Sequence, residues 1–582
     1  MKIINNKQMK FLFYTIIPLL CIANTFTVRA AEKLPIINYA QAFHPVIAKK
    51  GMVASQEAIA SRVGLDILKA GGNAVDAAVA VGFAMAVTLP RAGNIGGGGF
   101  MMIHLAKEKK ILAIDYREMA PLKAHRDMFL DDSGKVDKSK ARFSYLAAGV
   151  PGTVAGMDYA LKNFGNLSWK QVLAPAIKLA EQGFPVSHDL ANSLVSRKKR
   201  FSRSPAAMKI FFKEGDRNYQ AGENLVQKDL ANTLKRLAKN GASEFYQGET
   251  AKMIAKDMQQ HNGLIALDDL KNYEVKVREP IHGKFNGYDV YAMSPPSSGG
   301  VHVIQMLNML SQYDLKKFAP NSANYYHLLV EIMKRAYADR SAHLGDPDFY
   351  QVPIEGLIAQ DYAKSRVKEI SLAQATPSED VLPGRPKNYE SHETTHYSVV
   401  DQWGNAVSNT YTLNFSYGSG HVVAGTGILL NNEMDDFSSK KGVANAYGLL
   451  GDKANEIQAR KRPLSSMTPT IVLKDSKTHL VLGSPGGSTI INIVLQNLLN
   501  VLLHEMNIAT AIAAPRIHHQ WQPETVFVEP SISPDTRDLL IEKGHKIKQS
   551  RTMGSVHGIQ MNDGFIYGYS DPRRPGALTI GW

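Results

Sequence analysis

The stretch around which this chain is organised is Ser391-His392-Glu393-Thr394-Thr395-His396-Tyr397-Ser398-Val399-Val400, followed by Asp401-Gln402-Trp403-Gly404-Asn405 and then residues 406–414. β-branched and aromatic residues before the turn at 401–405 favour a strand, and a second β-rich run covers 406–413. A hairpin centred on Trp403 places Thr394 opposite Thr412, because each lies nine residues from the centre. Opposed residues in antiparallel strands lie close enough for their side chains to interact. The spacing therefore predicts that Thr394 lies at the start of a strand and that the hydroxyl of Thr412 lies opposite it.

A threonine hydroxyl is a poor nucleophile unless a base lies beside it. One chemical solution makes the threonine the first residue of a chain, so that its own α-amine, with a pKa of ~7.7–8.0, takes the hydroxyl proton. That solution requires cleavage of the bond between Glu393 and Thr394. The alternative is a plain hairpin with surface threonines, and this stretch alone leaves both interpretations open.

The start of the chain predicts a secreted protein. Lysines precede an apolar run at 11–23 and then Val28-Arg29-Ala30, which is the pattern of a signal peptide over residues 1–30 with cleavage after Ala30. The apolar run is short for a membrane span, so we expect no membrane anchor and a periplasmic or secreted location. The only cysteine of the sequence, Cys21, lies in this segment, so neither a disulfide nor thiol chemistry is expected in the mature chain.

The rest of the composition is that of an ordinary globular protein. The chain has 582 residues, of which 44% are hydrophobic and 21% charged, enough for two or three average domains or one large layered unit. The formal net charge is +14, or +10 without the four cations of the signal segment. These charges are scattered except at 197–200, Arg-Lys-Lys-Arg, which we interpret as a solvated helix end. No nucleic-acid partner is expected.

Two glycine-containing segments and one arginine are candidates for a site. The loop 93–99 precedes a strand, 100–105, whereas a phosphate cradle follows a strand and precedes a helix. Its order therefore favours close backbone packing against a site. Arg117 follows a second strand, 111–116, where an arginine can clamp a carboxylate with two parallel hydrogen bonds or simply meet solvent.

The second glycine segment, 483–488, follows a predicted hairpin at 470–482 and precedes a long apolar helix. Backbone N–H groups at a helix N-terminus bind anions, and a pair of them can form an oxyanion hole. The pattern Gly-x-Ser-x-Gly is absent, so we predict an oxyanion hole and not a serine nucleophile. The acidic run 431–436 lacks the alternation of a calcium loop and is equally suited to an ammonium group.

Four motifs together give a specific resemblance. The chain resembles the γ-glutamyltranspeptidase family over nearly its whole mature length, most strongly at Thr394-Thr395-His396-Tyr397-Ser398-Val399, Leu430-Asn431-Asn432-Glu433-Met434-Asp435-Asp436-Phe437, Arg462-Pro463-Leu464-Ser465-Ser466-Met467 and Gly483-Ser484-Pro485-Gly486-Gly487. The resemblance implies an α+β fold of the N-terminal-nucleophile hydrolase type, a four-layer αββα sandwich with two stacked antiparallel sheets between helices. It also implies one precursor that cuts itself into two chains, which remain together as a heterodimer within one interwoven unit.

The resemblance also assigns catalytic roles. The cut falls between Glu393 and Thr394 and gives a large subunit of 363 residues, 31–393, and a small subunit of 189 residues, 394–582. Thr394 matches the family's nucleophile, and Thr412 matches the threonine that hydrogen-bonds it. The family's oxyanion donors correspond to Gly486 and Gly487.

The same resemblance assigns a glutamyl pocket. Arg117 matches the arginine that holds the α-carboxylate, helped by Ser465 and Ser466. The residues around the α-amine correspond to Asn414, Glu433 and Asp436, and the loop carrying Tyr447 resembles the family's lid. Position 433 varies between Gln and Glu in the family, and Glu is expected to strengthen the ammonium contact.

The implied substrates are glutathione and other γ-glutamyl compounds, with water, amino acids or dipeptides as acceptors, and no cofactor or metal is implied. Two enzyme alternatives on the same scaffold are a cephalosporin-type acylase and a poly-γ-glutamate hydrolase. A free α-amine on the substrate separates the implied activity from a glutaryl acylase. A non-catalytic periplasmic binding protein that keeps the pocket is the alternative from another class.

Overall fold

The computed structural model describes residues 41–386, 396–440 and 442–582. The predicted signal peptide and the residues Glu393 and Thr394 lie outside these ranges. The strands are β1 Val46–Ala48, β2 Met52–Ser55, β3 Gly98–Leu105, β4 Lys110–Tyr116, β5 Phe184–Pro185, β6 Asn224–Leu225, β7 Lys276–Arg278, β8 Ile281–Phe285, β9 Tyr288–Ala292, β10 His396–Val400, β11 Ala406–Thr412, β12 Val422–Val423, β13 Ile428–Leu429, β14 Thr470–Lys474, β15 Lys477–Leu482, β16 Ile517–His518, β17 Val526–Val528, β18 Ile547–Gln549, β19 His557–Asn562, β20 Phe565–Ser570 and β21 Leu578–Gly581.

The α-helices are α1 Ala58–Lys69, α2 Ala74–Thr88, α3 Lys138–Phe143, α4 Thr153–Phe164, α5 Trp169–Gln182, α6 His188–Phe201, α7 Pro205–Phe211, α8 Lys228–Asn240, α9 Ser243–Tyr246, α10 Glu249–Gln260, α11 Leu267–Lys271, α12 Ser298–Leu310, α13 Ala323–His343, α14 Ile354–Ile358, α15 Gln360–Val367, α16 Ile490–Leu502, α17 Ile508–Ala513 and α18 Pro534–Glu542. Short 3-10 turns that matter for the site cover Glu433–Asp436 and Gly487–Thr489. Within the described ranges, no helix combines the length and the apolar character that a membrane crossing needs.

Two seven-stranded antiparallel sheets form the centre of the molecule. One has the strand order β1-β20-β19-β15-β14-β9-β8, and the other has the order β21-β2-β10-β11-β3-β4-β7. The sheets pack face to face, with β10 and β11 of one against β15 and β19 of the other. The stretch quoted first, which supplies β10 and β11, therefore lies at the middle of the second sheet.

Alternation along the strands explains why both faces of these sheets are covered. In β3, Phe100 and Met102 point into the apolar layer between the sheets, whereas Met101 and Ile103 point outward against helices. Successive side chains of a strand face opposite sides, so a strand that is apolar at every position needs cover on both. The result is a helix–sheet–sheet–helix stack, and the predicted α+β sandwich is confirmed.

The outer layers are built from the longest apolar helices. Helix α2 is buried along its whole length and packs on β10 and β11. It begins with a reciprocal capping box in which Asn73 and Asp76 satisfy each other's backbone N–H groups. On the other side of the stack, α12, α13 and α16 share one apolar cluster with β9, β14 and β15.

Candidate active site

The hairpin of β10 and β11 has the register that the sequence predicts. His396 pairs with Thr410 and Val400 pairs with Ala406, so the hairpin is centred on Trp403. Asp401 holds the turn by accepting hydrogen bonds from the backbone N–H groups of residues 403 and 405, at 2.9 and 3.0 Å. Because Thr394 lies outside the described residues, its pairing with Thr412 stays a prediction.

Thr412, at the end of β11, is held by the glycine loop 93–99. A Cβ placed on Gly97 would lie 1.9 Å from the Thr412 carbonyl oxygen, so only glycine fits there. That oxygen also accepts a hydrogen bond of 2.9 Å from Asn94 Nδ2. The interpretation of this loop as close backbone packing is confirmed. The Thr412 hydroxyl accepts a 2.8 Å hydrogen bond from the Asn414 N–H, which leaves its own proton for another acceptor.

The second glycine segment lies between β15 and α16. Gly486 and Gly487 have φ angles of 148° and 57°, which a residue with a side chain rarely adopts. A Cβ on Gly487 would also lie 2.6 Å from the ring of Tyr447. Conformation and the packing of this tyrosine therefore both require glycine at the predicted oxyanion position.

One cavity of about 630 Å³ joins most of the predicted site residues. The seven that line it are Thr412, Asn414, Glu433, Asp436, Tyr447, Gly486 and Gly487. They come from segments far apart in the sequence, namely the end of β11, the acidic 3-10 turn, the loop 438–453 and the start of α16. The cavity is large enough for a tripeptide-sized ligand.

The acidic wall of the cavity is a 3-10 turn, Glu433–Asp436. Side chains three residues apart eclipse in a 3-10 helix, so Glu433 and Asp436 face the same side. Both pair with Arg117: Nη1 lies 2.5 Å from Glu433 Oε1, and Nη2 lies 2.8 Å from Asp436 Oδ2. Asp435 faces the other way and pairs with Arg142 at 2.9 Å.

Arg117 is completely buried and has a third acidic neighbour, Glu118, at 3.5 Å from Nη1. Burial raises the pKa of Glu118 to about 7, against the opposing effect of the Arg117 charge. Burial also raises the pKa of Glu433, and the charges of Glu118 and Asp436 add to that effect. One cation thus faces three carboxyl groups, which favours a bound proton or a further cation at this wall.

The predicted carboxylate clamp is arranged differently from the expectation. Arg117, Ser465 and Ser466 do not line the cavity among the described residues, and the Arg117 guanidinium contacts the two acids directly. Arg117 Nε donates to the Pro463 carbonyl at 3.5 Å, two residues before Ser465. The Ser465 carbonyl accepts a 2.6 Å hydrogen bond from the Ser298 hydroxyl. The clamp role of these three residues stays a prediction.

Tyr447 covers the cavity as a lid would. Its hydroxyl donates to the Asn414 carbonyl at 2.9 Å, and its ring meets Phe415 edge-on with centroids 6.1 Å apart. Gln520 Nε2 donates to the Tyr447 carbonyl at 3.2 Å. Tyr447 therefore bridges the end of β11 and the glycine segment, which are the two elements that carry the predicted catalytic groups, and its role as a lid stays a prediction.

A family model described as Gamma-glutamyltranspeptidase matches residues 60–581. The chain belongs to the γ-glutamyltranspeptidase family. It is similar to the glutathione hydrolase proenzyme of Escherichia coli (strain K12), with 51% identity over 98% of this chain and 99% of the relative.

Solved structures agree with this family and with the predicted N-terminal-nucleophile fold. Helicobacter pylori γ-glutamyltranspeptidase matches with a TM-score of 0.56 and 46% identity, over 60% of this chain and 97% of that chain. A cephalosporin acylase from Bacillus halodurans matches with a TM-score of 0.84 and 27% identity, over 94% of this chain and 99% of that chain.

Two features of this family member escaped the sequence analysis. Glu118 adjoins Arg117 in the sequence, but nothing in the pattern shows that its side chain is buried against the acid pair. The cluster at 197–200 is the last turn of α6 and is partly exposed, as predicted, but the sequence did not show that Arg197 and Arg200 also line the cavity. Their spacing of three residues, which places them on one helix face, was the available signal.

Proposed function

We propose that the cavity binds the γ-glutamyl group of glutathione and related compounds and that Thr394 transfers it to water or to an amine. By its family, the protein is a γ-glutamyltransferase with glutathione hydrolase activity, made as a proenzyme. The observation that carries the site assignment is a buried acceptor, Asn414 Oδ1, which has no donor in the described part of the chain and lies in the same cavity as the Glu433 and Asp436 carboxyls. A substrate ammonium group would supply the missing donor.

The orientation of the substrate follows from the two ends of the cavity. The ammonium group lies against Asn414, Glu433 and Asp436, and the α-carboxylate reaches toward Arg117 with the help of Ser465 and Ser466. The γ-carbonyl then lies at the other wall, where the N–H groups of Gly486 and Gly487 stabilise the negative charge that develops on its oxygen.

The base for the reaction is the α-amine of Thr394. No histidine or lysine lines the cavity among the described residues. The histidine nearest in sequence, His396, is fully buried between the sheets, where its ring contacts the Thr410 and Ser398 hydroxyls at 3.1 and 2.8 Å. Burial also lowers the pKa of His396 well below its usual value. The Thr412 hydroxyl donates a hydrogen bond to the Thr394 hydroxyl oxygen and so holds that oxygen in place.

The proposed transfer of the γ-glutamyl group needs no cofactor. The Thr394 hydroxyl oxygen attacks the γ-carbonyl carbon while its proton passes to the α-amine. The tetrahedral intermediate collapses, the C–N bond breaks, and the departing amine takes that proton. Water or an amino acid or dipeptide amine then attacks the γ-glutamyl ester and regenerates Thr394. In the precursor the same hydroxyl attacks the Glu393 carbonyl, which breaks the peptide C–N bond, frees the α-amine of Thr394 and leaves residue 393 joined to Thr394 as an ester. Water then hydrolyses this ester, which separates 31–393, with a free carboxylate, from 394–582. The mature heterodimer is periplasmic or secreted.

A pair of substrates tests the α-amine site and separates this function from a glutaryl acylase. γ-Glutamyl-p-nitroanilide and glutaryl-p-nitroanilide differ only by the α-amine. One charge-assisted hydrogen bond contributes ~1.5–3 kcal/mol, so kcat/KM for the γ-glutamyl compound should be at least about tenfold higher. Asp436→Asn should reduce that preference, and equal rates with the two compounds would support the acylase alternative.

A further inference from the structure

Five arginines surround the outer part of the catalytic cavity. They come from distant parts of the chain and are Arg91, Arg197, Arg200, Arg551 and Arg574. The acids on the inner wall are almost completely buried, whereas Arg551 and Arg574 are exposed and Arg197 and Arg200 are half-buried. The cavity therefore has an acidic floor and a cationic rim, and we call these five residues the arginine rim.

Protein carboxylates neutralise little of this rim. Arg91 pairs with Asp189 at 2.5 Å, but among the described residues no carboxylate lies within ion-pair distance of the other four. Arg200 donates to two backbone carbonyls, those of Ser416 and Gly418, at 2.8 and 3.1 Å. Most of the positive charge of the rim is thus without a counter-charge from the part of the chain that the structure describes.

Two rim donors are buried and have no acceptor. Arg91 Nη2 and Arg197 Nε are inaccessible to solvent and donate to no acceptor within the described ranges. Buried donors in native proteins are normally satisfied by protein, water or ligand. Burial lowers the pKa of Arg200 to about 10, and the neighbouring charges of Arg197 and Arg203 add to this effect. A bound anion would accept hydrogen bonds from these two buried donors and would offset the positive charge around Arg200.

The direction of the substrate identifies the anion. With the glutamyl ammonium on the acidic floor and the γ-carbonyl at Gly486 and Gly487, the amine half of the donor points outward to the rim. In a γ-glutamyl peptide, that half ends in a free carboxylate. We propose that the arginine rim is a carboxylate subsite for the C-terminal end of the leaving peptide, so that the enzyme prefers peptide donors over neutral amides. This inference rests on the proposed function of the cavity.

The same subsite would serve an acceptor. An incoming peptide amine must approach the γ-glutamyl ester from the position that the leaving amine has vacated, so its carboxylate reaches the same arginines. Guanidinium groups suit this task because each can offer two parallel N–H donors to one carboxylate.

The test compares glutathione with glutathione amide, in which the terminal carboxylate is a neutral carboxamide. We expect kcat/KM for glutathione to exceed that for the amide by about tenfold, as one charge-assisted contact predicts, and the preference to shrink at high salt. In the double variant Arg197→Gln/Arg551→Gln, the ratio should fall close to one. Lys199→Gln, which removes an exposed charge of the same helix, should keep the wild-type ratio.

Each outcome decides the proposal. A ratio near one in the wild-type enzyme would overturn it, and so would a double variant that loses activity on both compounds by the same factor. Separation into two chains on a denaturing gel checks that each variant folds and matures. If the wild-type enzyme releases no p-nitroaniline from γ-glutamyl-p-nitroanilide, the proposed function itself fails, which is a different result from lost discrimination.

Discussion

Replacing Arg117 by lysine separates its role toward substrate from its role in the fold. The guanidinium is fully buried and pairs with Glu433 and Asp436 through two different nitrogens, at 2.5 and 2.8 Å. A lysine has one ammonium group and cannot hold both carboxylates in the same positions. The variant therefore keeps the charge and loses the geometry of the acidic wall.

The size of the effect follows from these contacts. Arg117→Lys loses at least one charge-assisted hydrogen bond, which contributes ~1.5–3 kcal/mol. Because each 1.4 kcal/mol is about a factor of ten, KM for γ-glutamyl-p-nitroanilide should rise by about ten- to hundredfold. Self-cleavage should continue, since Arg117 is assigned no part in it.

Steady-state kinetics and a gel for maturation measure both expectations. Arg142→Lys is the matched control, because Arg142 pairs with Asp435 on the opposite side of the same 3-10 turn at 2.9 Å. It should change KM little. A normal KM in Arg117→Lys, or an equal rise in the control variant, would refute the assignment of Arg117 to substrate binding.

Three further substitutions test individual contacts around the cavity. Thr412→Val keeps the shape but removes the hydroxyl, so self-cleavage and turnover should slow by about two- to tenfold, the effect of one neutral hydrogen bond; wild-type rates on a time-course gel would contradict this. It should also lower the melting temperature, because the Asn414 N–H loses its acceptor. Glu433→Gln removes a carboxyl group whose pKa is raised by burial and by the charges of Glu118 and Asp436. The donor ammonium prefers ionised carboxylates, so affinity should rise with pH as Glu433 ionises in the wild type, and this rise should be smaller in the variant, whose amide does not titrate. KM measured from about pH 5 to about pH 9 checks this, and an identical profile would disprove it. Tyr447→Phe loses the 2.9 Å hydrogen bond to the Asn414 carbonyl and should raise KM by about two- to tenfold, with kcat nearly unchanged.

Local patterns in the sequence predict the framework of this site well. The register of β10 and β11 follows from equal spacing about Trp403, because a two-residue alternation and a tight turn fix strand pairing. The glycine segment before α16 and the loop 93–99 also lie where their neighbours in the sequence require. The hairpin register and the glycine segment depend on contacts between residues close along the chain or on backbone conformations that only glycine adopts, whereas the loop 93–99 packs against Thr412, which is far away in the sequence.

The electrostatics of the site depend on contacts that no local pattern contains. Arg117 and Glu433 are 316 residues apart, and their pairing appears only when the second sheet and the acidic turn come together. The arginine rim also appears only in the folded chain, because no local pattern distinguishes its members from other arginines in the sequence. Sequence shows which charges exist, whereas the fold decides which of them share one cavity.

The central claim is that the Thr394 hydroxyl cuts its own chain and then carries the γ-glutamyl group. Intact-mass measurement of the purified protein, wild type beside Thr394→Ala, tests it most directly. The wild type should give two masses, one of them that of residues 394–582 with a free N-terminal threonine, and incubation with a slow γ-glutamyl donor should add one γ-glutamyl group to that chain alone. Thr394→Ala should give one uncut chain and no adduct. A variant that is still split before residue 394, or a wild-type adduct on the large chain, would contradict the account.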